Sequence, residues 1–195
     1  YEPTAVDIRS QMLNLHNSGA EVVLLSTSMG FFAQAIKQAD RMGWHPQFFT
    51  GYVNSDEMIF QFLSPELVEG TVTSQAYKLA AWTDDPAVAA HHELMKKYGG
   101  PVPTNFSIYA QSLGELAVEI LSRTCDNLTR EGLLESIKSI KDWHSDLLLD
   151  EVTISFSETD RTAIQTGRML KATIVDGKGK FEYFGPLYVF EEEQL

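Results

Sequence analysis

Ser26, Thr27 and Ser28 stand in a row, directly after the β-favouring residues Val22 to Leu25. Three hydroxyls placed there can do three kinds of chemistry. A serine with a base in reach is a nucleophile, and Ser28 with His45 or His16 is the pair to test. Ser28 can also cap a helix beginning at Met29, its oxygen accepting from an orphan amide of the first turn. The row can equally meet a small polar or anionic ligand, alongside the free N–H groups of a helix start. Cap and ligand contact both stay open, because one serine can serve both.

Other chemistry-bearing groups are sparse. His91, His92 and Glu93 adjoin, but the second histidine of a His-Glu-x-x-His zinc motif is missing. Asp176-Gly-Lys-Gly-Lys-Phe-Glu182 has too few oxygen ligands for a calcium loop. Asn105-Phe-Ser107 and Asn127-Leu-Thr129 match the glycosylation triplet, a short pattern that also suits residues preceding or capping a helix. Cys125 is the one cysteine, so no intrachain disulfide or cysteine-based zinc site is available. Phosphate-cradling glycine motifs and nucleophile elbows are absent. We expect no catalysis, no metal and no cofactor.

The chain has 195 residues and a formal net charge of -12. That sign argues against nucleic acid, whose phosphates require a lysine and arginine excess. No apolar run reaches the roughly 20 residues that span a bilayer. The opening residues, Tyr1 to Asp7, lack the basic and apolar regions of a secretion signal.

These groups need elements to position them. Thr4 and Asp7 read as the start of a helix carrying Ile8, Met12 and Leu15, which stops at Gly19. Val22–Leu25 reads as a strand buried on both faces. Phe32, Ala35, Ile36 and Ala39 mark one face of the next helix, ended by Gly43. Gln47–Thr50 is a second strand, 55–69 is helical, and 70–77 is a third strand. Helices follow over 86–98, along Leu113, Leu116, Ala117, Ile120 and Leu121, and from Thr129. Asp176-Gly177 joins two closing strands as a hairpin.

Alternating helices and strands with short connections specify an α/β fold with a parallel sheet. In such sheets ligands bind beyond the carboxyl ends of the strands. Ser26, Thr27 and Ser28 stand at that end of the first strand, Gly51 and Tyr52 at that of the second, and Tyr77 at that of the third. Hydroxyls donate there, and tyrosines add flat apolar area.

The order of pieces also resembles a family. Asp7 to Val23, Phe32-Ala-Gln-Ala-Ile-Lys-Gln-Ala39, Gly43-Trp-His-Pro46, Ser107-Ile-Tyr-Ala110 and Leu128-Thr-Arg-Glu-Gly-Leu133 together resemble type I periplasmic solute-binding proteins. The group in question is the branched-chain amino-acid and related receptors of ABC importers. The resemblance implies two α/β lobes joined by hinge crossings, with a ligand gripped between them. It implies that this chain is the second half of such a protein, a truncated lobe with a C-terminal β-hairpin and extra helices belonging to the other lobe. Residues 1–103 would be the second lobe, 104–155 a helical segment of the first, and 156–195 the return. Without the first lobe, helices such as 108–121 would expose an apolar face and pair with a neighbour or swap.

On that resemblance the partners are a small-molecule ligand, the missing N-terminal lobe and a membrane permease, in the periplasm or outside the cell. A ligand-sensing domain of a receptor or regulator is the alternative. The family's amino-acid receptors place an acidic residue where this chain has Tyr52, and tyrosine cannot neutralise an ammonium in a dry cleft. The expected ligand is therefore a carboxylate or aromatic acid, unless Asp56 or Glu57 supplies the missing charge.

Overall fold

Buried side chains four residues apart begin the first helix, α1 (Arg9–Asn17), with Met12 facing inward one turn after Ile8. The structure, a computed structural model, describes residues 7–189. The expected cap at Thr4 lies outside them. Asp7 instead folds forward, accepting from the Arg9 amide at 3.1 Å and pairing with its guanidinium at 2.7 Å, and Ile8 stands at the N-cap.

The chain divides into two compact units, Tyr1–Gln75 with Met169–Gly185, and Ala76–Arg168 with Pro186–Leu195. In the first, α1 is followed by β1 (Val22–Leu25), α2 (Met29–Arg41) and β2 (Gln47–Thr50). Then come α3 (Pro65–Val68) and β3 (Val72–Gln75). The chain returns to this unit within β4 (Thr166–Val175) and leaves it again within β5 (Lys178–Val189). The sheet order is β1-β2-β3-β4-β5, with β1, β2 and β3 parallel. At the hairpin tip, Asp176 (φ 52°) and Gly177 (φ 74°) both take the left-handed conformation of a type I′ turn, whose twist matches that of its strands.

α2 buries the expected face: Phe32, Ala35, Ile36 and Ala39 are all within 2 % of full burial. β1 departs from expectation. Val23 and Leu25 are buried, but Val22 and Leu24 are 60 % and 75 % exposed. As the end strand of the sheet, β1 pairs only with β2, and its alternate residues face opposite sides. The expected helix over 55–69 is also broken up. Tyr52–Asn54 and Glu57–Gln61 are 3₁₀ turns, and only Pro65–Val68 is α-helical. Asp56 stops continuous helix by capping the second turn through the Met58 amide at 2.8 Å, and Pro65 has no N–H with which to extend the helix backwards.

In the second unit, α5 (Asn105–Thr124) packs against both α4 (Pro86–Lys97) and α6 (Arg130–Lys138), and Leu147, Leu148 and Leu149 are buried, Leu148 bridging to Tyr77. α5 buries Ile108, Ser112 and Leu116, a four-residue row, and leaves Leu113, Val118 and Leu121 exposed. Gly99–Pro103 connects α4 to α5 inside this unit. The reason is visible at His91, 1 % exposed on α4. Its Nδ1 meets Gln111 Oε1 at 2.6 Å, and its Nε2 meets Ser107 Oγ at 2.7 Å, both on α5. His91 is therefore spent on helix packing, while His92 Nε2 meets the Ala80 carbonyl at 2.8 Å and Glu93 is exposed.

Candidate ligand-binding site

The carboxyl ends of β1, β2 and β3 are laced together by short polar side chains. Thr50 Oγ1 donates to the Leu25 carbonyl at 3.0 Å, joining β2 to β1. Asn54, fully buried in the turn after β2, donates from Nδ2 to Thr50 Oγ1 at 2.7 Å and to the Thr27 carbonyl at 3.0 Å. Ser55 Oγ donates to the Tyr52 carbonyl at 2.7 Å and accepts from Gln75 Nε2, at the end of β3, at 3.1 Å. The bonds to Leu25, to Thr27 and from Gln75 each join segments at least 20 residues apart, so the lacing fixes the loops on which the candidate residues stand. Among the described residues, Thr27 Oγ1 and Asn54 Oδ1 are buried without a hydrogen-bond partner. Such atoms are rare in folded proteins and usually meet an ordered water or a ligand.

On this frame Ser26 and Ser28 are exposed and Thr27 half-buried. Ser28 stands at the N-cap of α2 in extended conformation (φ -69°, ψ 162°), yet its side chain makes no capping bond. Its hydroxyl is left for other partners. Tyr52 opens the turn after β2 and is half exposed. Tyr77 lies in the second unit, 6 % exposed, bridging to Leu148 and packed edge-on against Tyr109 with ring centroids 5.1 Å apart.

Asp56 and Glu57 have other employment. Asp56 is buried and caps the following turn. Burial pushes the Glu57 carboxyl up in pKa, opposed by the Phe181 amide and the Lys180 charge on β5, so this acid is engaged at the hairpin.

The nucleophile pair does not form. Val22 pairs with Gln47 and Leu25 with Thr50, so Ser28 follows one end of β1 while His45 precedes the other end of β2. The strand length, about 10 Å, separates them. His45 lines a cavity of about 430 Å³ at the amino end of β2, beside Trp44, and His16 packs edge-on against that same Trp44. Among the described residues, no three His, Cys, Asp or Glu side chains could hold a metal ion, and no helix is long and apolar enough to cross a membrane.

Asn54, Thr50 and Gln75 escaped the sequence reading. The one available sign was the polar run Asn54-Ser55-Asp56, set off from a strand end by three residues, where such residues commonly bond to backbone.

Residues 1–180 match the family model described as periplasmic binding protein. No curated protein matches the sequence. Among solved structures, the branched-chain amino-acid ABC transporter protein of Thermus thermophilus with bound valine is similar, with TM-score 0.77 and 18 % identity. The match covers 94 % of this chain and 50 % of that one. A fatty acid ABC transporter substrate-binding protein from Thermomonospora curvata gives TM-score 0.74 and 22 % identity, over 94 % of this chain and 48 % of its own. A solute-binding protein from Rhodopseudomonas palustris HaA2 in complex with p-hydroxybenzoic acid gives 0.69 and 20 %, over 98 % and 51 %. The chain thus spans about half the length of the structures it matches.

Proposed function

Because this chain belongs to the periplasmic binding protein family, we propose that it is the ligand-recognising half of the substrate-binding component of an ABC-type importer. It binds rather than transforms its ligand, in the periplasm or outside the cell, and hands it to a membrane permease. Ser26, Thr27, Ser28 and Tyr52 are the proposed ligand contacts. Tyr77, buried against Tyr109 in the second unit, carries none of the argument.

The ligand we propose is a carboxylate or an aromatic acid without an α-amino group. One observation carries this: no carboxylate serves the position where Tyr52 stands. Asp56 caps a turn and Glu57 is drawn to Phe181 and Lys180, so neither compensates for tyrosine. A desolvated ammonium without a counter-charge is strongly disfavoured, whereas uncapped hydroxyls and the start of α2 suit an anion. The similar structures include proteins described with valine, with fatty acid and with p-hydroxybenzoic acid, so the fold accommodates both chemistries.

The test is a thermal-shift panel on the protein with both lobes present: leucine, valine, p-hydroxybenzoate, benzoate and octanoate. A ligand at ~100 times its dissociation constant stabilises the folded state by about 2.7 kcal/mol. We expect the carboxylates without an amino group to raise the midpoint and the amino acids to leave it unmoved. A shift with leucine or valine overturns the assignment of ligand class.

A further inference from the structure

We propose that the cavity at the amino end of β2 is a second binding site, and that it takes an organic primary ammonium: a charged nitrogen carried on an apolar body. The cavity holds about 430 Å³, inside the roughly 300–1,000 Å³ usual for small-molecule sites. All of its lining residues lie between Ile36 and Thr71, in the first unit. Ser26, Thr27, Ser28 and Tyr52 stand beyond the carboxyl ends of β1 and β2, at the other end of the sheet. Its occupant is therefore independent of the ligand proposed there.

The lining has two characters. The buried side chains of Ile36 and Phe48 supply apolar surface, and the Trp44 indole adds a fixed wall. Trp44 donates from Nε1 to the Ala20 carbonyl at 3.2 Å and packs edge-on against His16 and Phe48. A ring held in this way loses little freedom when a ligand arrives, and the face of an indole attracts a cation. Asp40, Glu66 and Glu69, all exposed, also line the cavity. Among the described residues none of the three is paired with a lysine or arginine, and the lining contains neither. Glu66 is held below its ordinary pKa by its own amide and the Ser64 hydroxyl, so it keeps its charge.

A separate sign comes from Thr71. It is 2 % exposed and lines the cavity, and its hydroxyl makes no hydrogen bond among the described residues. Buried hydroxyls in folded proteins nearly always meet a partner, whether protein, water or ligand. A primary ammonium has three N–H groups, enough for the hydroxyl oxygen and for carboxylates. A bare metal ion does not suit this lining, because among the described residues no three His, Cys, Asp or Glu side chains could hold one. The carboxylates are too far apart to share an ion, but they surround a space that an organic cation fills.

The experiment follows the Trp44 indole N–H resonance in the ¹⁵N-labelled protein with both lobes present, the signal being assigned as the one lost in Trp44→Phe. The protein is titrated with 2-phenylethylamine, with its uncharged counterpart 2-phenylethanol, and with calcium chloride. We expect a saturable shift with the amine and none with the alcohol or calcium. Combining Asp40→Asn, Glu66→Gln and Glu69→Gln should weaken the amine about tenfold or more, from three surface charge contacts, with the rest of the spectrum unchanged. Thr71→Val, which removes only the hydroxyl, should weaken it about threefold. No saturable shift with the amine, an equal response to the alcohol or to calcium, or undiminished affinity in either variant overturns the proposal.

Discussion

Asn54 Nδ2 donates to the Thr27 carbonyl at 3.0 Å, across 27 positions of sequence, and so ties the loop after β1 to the turn after β2. The same nitrogen reaches Thr50 Oγ1 at 2.7 Å. Asn54→Ala leaves a buried carbonyl and hydroxyl without their donor, at a cost of about 1–3 kcal/mol. Urea denaturation should show a lower midpoint at unchanged slope. A stability equal to wild type would mean that the bonds are replaced by water and the clamp is idle.

Ser28 and Thr129 occupy the same N-cap position on α2 and α6, but only Thr129 makes the capping bond. Thr129→Ala should therefore cost about 1 kcal/mol, the usual worth of a cap, and Ser28→Ala should leave stability within about 0.5 kcal/mol of wild type. Thermal melting of the two variants side by side decides it. A loss at Ser28 as large as that at Thr129 would show that its hydroxyl caps in solution, and would remove it from the proposed ligand contacts.

Asp85 caps α4 through the amides of Ala87 and Val88 and pairs with Lys78 Nζ at 2.8 Å. Burial works to raise the Asp85 carboxyl, but the ammonium and the helix amides outweigh it and hold the pKa below its ordinary value. A carboxyl depressed in the folded state stabilises above its unfolded pKa and loses that contribution as pH falls through the folded one. Burial likewise lowers Lys78, and its carboxylate partners more than restore it, so its pKa is raised. That contribution is complete below the unfolded lysine pKa and lost as pH rises through the folded value. Stability of Asp85→Asn, measured from pH 2 to pH 7, should differ from wild type at neutral pH and converge with it in acid. Parallel curves would show that the carboxylate charge contributes nothing.

Gly132 meets the Asn127 carbonyl so closely that a Cβ would sit 2.1 Å from the oxygen. Backbone must move to admit alanine there, although alanine is the better helix former. Gly132→Ala should destabilise by about 1–3 kcal/mol, read as a lower melting temperature. Stabilisation instead would show that the α5–α6 connection is free to shift.

Much of the fold was written locally. The helical face of α2, the cap at Thr129, the Asp176-Gly177 turn and the β1–β3 pattern all depend on residues a few positions apart. Spacing and backbone preference suffice to read such features. By contrast, α5 buries Ile108, Ser112 and Leu116 and, of the expected face, leaves Leu113, Ala117 and Leu121 exposed. The 55–69 segment was misread because its apolar spacing suited a helix while Asp56 capped a turn and Pro65 closed off extension backwards. Val22 and Leu24 were misread because position in the sheet, not side-chain type, decides which faces of a strand are covered.

By itself, the sequence determined that this is an α/β chain whose strand ends carry hydroxyls and a tyrosine, since strand, turn and cap propensities act within a few residues. Tertiary structure alone decided what those groups are free to do. Parallel register parts Ser28 from His45, Asn54 reaches back 27 positions to hold Thr27, Glu57 turns to Phe181 and Lys180, and His91 closes onto α5. Each of these is a contact between segments distant in sequence, where hydrogen-bond geometry and desolvation act and no local preference reaches.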